Sequence, residues 1–307
     1  MEKVVIIGTG PSGFTAGIYC ARADLNPLIL SGKLPGGLLT QTSDIENFPG
    51  FSAVNGFDLM MTMQKQAEKF GAKIVFGTVK SVDFKNGGPH TLDLEGGGKI
   101  ITETVVIATG SNPRWMGLDS EKRLANKGVS ACATCDGAFF RNVPVVVVGG
   151  GDTAMEEALF LTKFASKVTI IHRRNEFRAS KIMVARARDN SKVKFVLDSQ
   201  VIDVIGENEV ESVKVRNLKT GEIRTIECRG YFAALGHIPA TEIFKNHIEM
   251  DEKGYILLKE NSSQTSIDGV FAAGDCADTR YRQAVTAAGM GCKAAIDVEH
   301  WLAANNP

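Results

Sequence analysis

The segment Cys132-Ala133-Thr134-Cys135-Asp136 holds the residues best suited to chemistry. Two cysteines separated by two residues can close a disulfide on each other, so one chain can store and release an electron pair. Asp136 directly follows the second cysteine. It can relay protons to the reduced pair, or serve as a turn or cap residue before Gly137. Shortly afterwards comes the loop Gly149-Gly150-Gly151-Asp152-Thr153-Ala154, preceded by the valines 145–148. A similar loop, Gly8-Thr9-Gly10-Pro11-Ser12-Gly13, follows Val4-Val5-Ile6-Ile7. In such loops glycine permits a tight turn and lets backbone N–H groups approach a pyrophosphate at a helix N-terminus. Two nucleotide loops and one dithiol point to electrons passing from a nucleotide to sulfur.

The two loops differ where a ribose would be read, about 20 residues on. The second has His172-Arg173-Arg174 there, with Arg178 beyond. Guanidinium forks suit a 2′-phosphate, so this site reads as NADPH rather than NADH. A solvated basic face is the alternative. The first loop has Leu30-Ser31-Gly32 at that place, with neither arginine nor a carboxylate. Ser31 can bond a ribose hydroxyl, and the site reads as FAD. Asp275 supports this, because a carboxylate after Gly274 at a strand end can accept from a ribityl hydroxyl; its alternative role is N-cap of the following helix.

These residues need elements to hold them. Val4–Ile7 reads as a buried parallel strand, then a helix from about Phe14 to Ala23, then a strand over 27–30. The unit recurs with a strand over 145–148, a helix from about Thr153 to Phe164 and a strand over 168–171. Each copy is closed by a matching strand, Val105 to Gly110 and Tyr231 to Gly236, with proline three residues on at Pro113 and Pro239. Segments 73–101 and 193–227 are rich in β-branched residues and broken by turns such as Asn86-Gly87 and Thr220-Gly221, and read as antiparallel meanders. A third glycine-ended strand, Gly269 to Asp275, has no counterpart in the second copy and is placed back in the first domain. A helix from about Gln283 to Leu302 closes the chain. The expected fold is α/β, two Rossmann-like three-layer domains, the second inserted in the first. The expected boundaries are 1–112, 115–240 and 242–307, with hinges near 112–115 and 239–242.

Composition narrows the class. The 307 residues are 44% hydrophobic and carry no net charge, so no basic excess argues for nucleic acid or an anionic membrane. No apolar run approaches the roughly 18 residues of a membrane span, and the first apolar run is too short for a signal peptide. A cytoplasmic setting is expected, where a close cysteine pair is catalytic rather than structural. Cys20, Cys228, Cys276 and Cys292 read as small buried apolar side chains. His90, His172, His237, His247 and His300 show no ligand spacing, so no metal is expected.

Over nearly its whole length the chain resembles the low-molecular-weight, bacterial-type thioredoxin reductases, class II pyridine nucleotide-disulfide oxidoreductases. The resemblance rests on both glycine loops, Glu46-Asn47-Phe48-Pro49-Gly50, the run 131–137 around the cysteines, His172-Arg173-Arg174, Gly274-Asp275 and Tyr281-Arg282-Gln283-Ala284. It implies a homodimer that takes electrons from NADPH, carries FAD and reduces the disulfide of thioredoxin. Cys135 would face the flavin, Cys132 would attack thioredoxin, and Asp136 would act as acid and base. The domain with NADPH and the dithiol would rotate on its two linkers between half-reactions. FAD contacts are implied at Gly8, Gly10, Pro11, Ser12 and Gly13, at Ser31 and Gly32, and at Gly36, Gly37, Leu38 and Thr40. Further ones are implied at Asn47, at Ala108, Thr109 and Gly110, and at Gly274, Asp275, Arg282, Gln283 and Ala284. NADPH contacts are implied at Gly149, Gly151, Asp152, Thr153, Ala154, His172, Arg173, Arg174 and Arg178. Two positions depart from the family pattern: Leu38 stands where glutamine is common and Ser31 where glutamate is common. Flavin reductases acting on ferredoxin or flavodoxin share the architecture but lack the cysteine pair. A non-catalytic redox sensor would not need both nucleotide loops and the arginines.

Overall fold

Val4, Val5, Ile6 and Ile7 are all buried, so this run has no solvent face and lies at the centre of a sheet. The computed structural model describes residues 1–42 and 44–305. Strand Glu2–Ile7 is flanked in parallel by Leu28–Leu30 and by Lys99–Ile107. Alternate side chains enter two cores: Val4 and Ile6 pack with Phe14, Met60 and Ala294, and Val5 and Ile7 with Leu92, Phe244 and Ile256. Helices Pro11–Arg22, Gly56–Lys69 and Ala284–Asn305 supply the first core's covering layer.

The chain divides into two compact units, one of Met1–Asn112 with Ile238–Pro307 and one of Pro113–His237. In the first, the sheet runs Lys73–Val75, Leu28–Leu30, Glu2–Ile7, Lys99–Ile107, His90–Leu94, Val79–Asp83, and Val270–Ala272 also pairs in parallel with Lys99–Ile107. In the second, five parallel strands run Val129–Ser130, Gly230–Ala233, Pro144–Val148, Lys167–Ile171, Val193–Val196. Helices Asp152–Leu161 and Lys181–Asp189 cover one face and a three-stranded antiparallel meander, Ser199–Ile205, Ser212–Asn217 and Ile223–Glu227, covers the other. The chain is therefore α/β with two Rossmann-like units.

The meander expectation needs correction at its edges. Lys73–Val75 and Val193–Val196 are parallel strands of the main sheets, not parts of the meanders. Runs this short carry no mark of strand direction. The loop helices also begin earlier than expected, at Pro11 and Asp152. Proline suits the first helical position, where its missing N–H costs nothing, and a carboxylate there meets the positive end of the helix dipole. Where the chain leaves and re-enters each unit it is tied to that unit's own backbone. Ala240 N–H donates to Gly110 O in the first, and Arg114 N–H to Gly236 O in the second, both at 2.9 Å.

Candidate functional site

In the first unit, Gly8 has φ +116°, and a Cβ there would lie 2.3 Å from Ala108 O. A Cβ on Gly13 would lie 2.0 Å from Gly8 O, so strand and helix touch backbone to backbone. A Cβ on Gly10 meets nothing within 4 Å. Two glycines thus close the packing and one leaves an open face at the helix N-terminus. No side chain caps that terminus, so its first N–H groups point outward without an internal partner. An anionic pyrophosphate fits this cradle.

Around it the structure gathers several remote segments. The Thr9 hydroxyl donates to Ser31 O at 3.1 Å and accepts from Gly36 N–H at 2.9 Å. It thereby sets both the 31–32 and the 36–40 segments beside the loop. Ser31 is buried and donates its hydroxyl proton to Gly32 O. Leu38 is 41% exposed in a 3-10 turn Leu38–Gln41, while Thr40 bonds back to Gly37 O at 2.8 Å. Asn47 donates to Gln283 Oε1 at 3.3 Å. Thr109 Oγ1 is buried with no protein partner, beside the loop at the end of strand Lys99–Ile107. An orphaned buried hydroxyl there suits a polar cofactor atom.

Asp275 follows Gly274, whose φ is +82° and whose Cβ, if present, would meet Ser12 Oγ at 2.7 Å. Burial raises the Asp275 carboxyl to about 6, helped by the nearby Asp278 and opposed by the Arg282 charge. The next helix starts only at Ala284, so Asp275 does not cap it. Asp278 instead organises the intervening loop, accepting from the N–H groups of Arg280, Tyr281 and Arg282 at 2.8–3.0 Å. That clamp holds Arg282 at φ +49°, where few non-glycine residues sit.

The second loop repeats the logic. A Cβ on Gly149 would lie 2.4 Å from Ala234 O and 2.7 Å from Ala154 Cβ, whereas Gly151 is open. His172 lies buried directly under Gly150: a Cβ there would meet its ring at 2.2–2.5 Å. Burial lowers the His172 pKa, and Arg173, Arg174 and Arg178 lower it further. Its ring stacks on Phe177 and lies 3.1 Å from Glu176 O, packed beneath the loop. Arg178 and Ala179 N–H donate to Gly150 O, folding the arginine segment onto the glycine loop. Arg173, Arg174 and Arg178 are exposed, and among the described residues none forms an ion pair. Asp152 accepts from Ser180 N–H at 2.8 Å, which joins the starts of the two helices.

The dithiol lies in this second unit. Cys132 precedes the helical turn Ala133–Asp136 and Cys135 sits one turn later, so the two sulfurs share a face and form a disulfide with Cα atoms 5.3 Å apart. Cys135 is exposed and Cys132 half-buried, with Cys132 Sγ 3.4 Å from Thr134 Oγ1. Asp136 is half-buried and makes no side-chain cap. Burial raises its pKa. The remaining thiols differ sharply. Cys20 and Cys228 are buried and pushed up to about 12, Cys276 is buried and pushed up to about 11, and Cys292 is half-buried.

Thr9, Asp278 and Ser180 escaped the sequence reading. Thr9 occupies a variable position inside the loop motif, and the others act through contacts that no local spacing announces.

The model of the family described as pyridine nucleotide-disulphide oxidoreductase matches residues 2–291. The thioredoxin reductase of Streptomyces clavuligerus is 48% identical over 306 residues, covering 99% of this chain and 95% of the relative. The bifunctional thioredoxin reductase/thioredoxin of Mycobacterium leprae is 47% identical over 99% of this chain, which spans 66% of that longer protein. A solved thioredoxin reductase from Giardia duodenalis superposes with a TM-score of 0.94 at 44% identity, covering 98% of each chain. Among the described residues no helix is long and apolar enough to cross a membrane.

Proposed function

The chain belongs to the pyridine nucleotide-disulphide oxidoreductase family, among its thioredoxin reductases, and from that premise we propose that it links NADPH, FAD and the Cys132–Cys135 pair in series to reduce thioredoxin. The observation that carries this reading is the disulfide itself, with an exposed Cys135 and a carboxyl of raised pKa beside it, in the unit that also holds the arginine-flanked loop. A bound flavin supplies two-electron exchange between a nicotinamide and a disulfide. Gly8, Gly10, Ser12 and Gly13 would hold its pyrophosphate, Asp275 a ribityl hydroxyl, and Thr109 a further polar atom. Gly149, Gly151 and Thr153 would hold the nicotinamide dinucleotide's pyrophosphate, with Arg173, Arg174 and Arg178 around a 2′-phosphate.

Within the dithiol, Cys135 takes the cofactor-facing role and Cys132 attacks the thioredoxin disulfide. Asp136 keeps a proton to higher pH than an ordinary carboxylate does. It can protonate the thiolate that leaves and later recover the proton. The inserted unit turns on the linkers anchored at Gly110 and Gly236 so that one dithiol serves both half-reactions. The same reading extends to a homodimer working in the cytoplasm, which sedimentation of the purified enzyme checks.

The decisive assay follows NADPH oxidation with oxidised thioredoxin, beside NADH and beside a mixture with no disulfide. Turnover should need thioredoxin and favour NADPH. Cys135→Ser should still bleach the flavin on NADPH addition but not turn over thioredoxin. Thioredoxin reduction by that variant would break the assigned electron path.

A further inference from the structure

In strand Lys167–Ile171, Val168 and Ile170 pack on the helix side of the sheet and Ile171 on the meander side. Alternation therefore turns Lys167 and Thr169 toward the meander. On the neighbouring strand Lys194 pairs with Thr169, and it lies on the same face as Val196, which packs on the meander side. From the meander, Ile226 packs into the same core, and Arg224, two residues before it, shares its side of the strand. An open cleft of about 500 Å³ lies between the two layers. It is lined from the sheet by Lys167, Thr169 and Lys194, and from the meander by Arg224, Ile226 and Glu227.

Three cations against one carboxylate leave this lining an excess of two positive charges. Among the described residues, none of the three cations forms an ion pair. Like charges brought together from three strands repel one another, and an anion between them relieves that repulsion. Thr169 gives a separate sign. It is 4% exposed, and among the described residues its hydroxyl has no hydrogen-bond partner. A buried hydroxyl without a partner favours a group that enters the cleft and accepts its proton. Lys167 is about 6.6 Å along the strand from Thr169, and Lys194 about 4.8 Å across the sheet. Both lysine side chains are long enough to close on an acceptor held at that hydroxyl.

We propose that this cleft binds a small phosphate-bearing molecule with at least two negative charges, at a site separate from the arginine-flanked glycine loop. The Thr169 hydroxyl donates to a phosphoryl oxygen, and Lys167 and Lys194 neutralise the same end of the ligand. Arg224 closes from the meander, where its guanidinium fork suits phosphate oxygens. The cleft is larger than one phosphate needs and within the range of small-molecule sites. Pro144, Val196 and Ile226 give the rest of the molecule an apolar wall. The two sites lie toward opposite ends of one strand. The glycine loop follows the last residue of Pro144–Val148, whereas Pro144 begins it, about 16 Å away along the chain. A nucleotide on the loop therefore leaves the cleft accessible.

The test is calorimetric titration of the flavin-loaded enzyme with inorganic pyrophosphate and, separately, inorganic phosphate, both in excess NADP⁺ to fill the glycine loop. Pyrophosphate should bind once per chain, and phosphate at least tenfold more weakly. Lys194→Ala and Thr169→Val should each weaken pyrophosphate roughly tenfold. Lys194→Arg keeps the charge and should keep most of the affinity. Neutral replacement of Arg173 and Arg174 should leave pyrophosphate binding unchanged. Lys194 is exposed, so its variants should melt like wild type and carry the test even if Thr169→Val folds poorly. Absence of pyrophosphate binding overturns the proposal. So does equal affinity of wild type, Lys194→Ala and Lys167→Ala, which would leave only a solvated basic face. Loss of binding on replacing Arg173 and Arg174 would put the pyrophosphate on the glycine loop and overturn it as well. Equal affinities for phosphate and pyrophosphate would overturn the doubly charged ligand.

Discussion

On the proposed assignment of Asp275 to the flavin, a carboxyl raised to about 6 would make flavin binding pH-dependent. Its folded pKa lies above the ordinary value of about 3.9, so its contribution to stability is fully present below that value and declines as pH rises to about 6. A ribityl hydroxyl donating to the carboxylate favours the ionised form and reverses that bias. Flavin affinity of the apoprotein should therefore rise about tenfold from pH 5 to neutrality and then level off. Fluorescence titration with FAD measures it, and Asp275→Asn should give a flat profile. A flat profile in the wild type would remove Asp275 from the flavin site. At the other loop, neutral replacements of Arg173 and Arg174 should cost roughly 100-fold in kcat/KM for NADPH and little for NADH. Equal losses for both nucleotides would show a basic face without selectivity.

At the scale of elements, the two glycine loops separate packing from binding. Gly13→Ala forces a Cβ to within 2.0 Å of a backbone carbonyl and should destabilise the first unit by roughly 3 kcal/mol or prevent folding, as thermal melts would show. Gly10→Ala meets nothing in the protein and its apoprotein should melt like the wild-type apoprotein, yet it should lose most of its flavin on gel filtration. Matched losses of stability in both variants would contradict this division. The same contrast explains what the sequence made legible. Gly8, Gly13 and Gly149 are demanded by close backbone approach, which leaves a fixed spacing in the chain. The dithiol is legible because both sulfurs must share one turn. The roles of Thr9 and Asp278 arise from contacts with segments whose proximity only the folded sheets create. His172 stands in sequence beside two exposed arginines, yet the structure buries it beneath Gly150, where burial lowers its pKa. Strand direction at Lys73–Val75 and Val193–Val196 was hidden for a related reason: runs of three or four residues fit either ladder.

At the scale of the whole molecule, the sequence repeat of strand, loop and helix becomes two units, each with its own cores on both faces of a sheet. If the inserted unit turns once in each cycle, solvent friction should be felt in turnover. Doubling viscosity with sucrose should lower kcat for thioredoxin by up to about twofold. NADPH oxidation by ferricyanide, which takes electrons from the flavin without the dithiol, should change far less. Equal sensitivity of the two reactions would argue against rotation as the slow step.

The three buried thiols carry a last consequence. A chain that displays an oxidising disulfide is exposed to attack by its own cysteines, and one internal exchange would lock electrons into a dead-end bridge. Attack needs a thiolate with access to the target sulfur. Cys20, Cys228 and Cys276 have neither at neutral pH. At these three positions the molecule is in effect insulated, so repeated cycles of oxidation and reduction draw none of the three into a bridge.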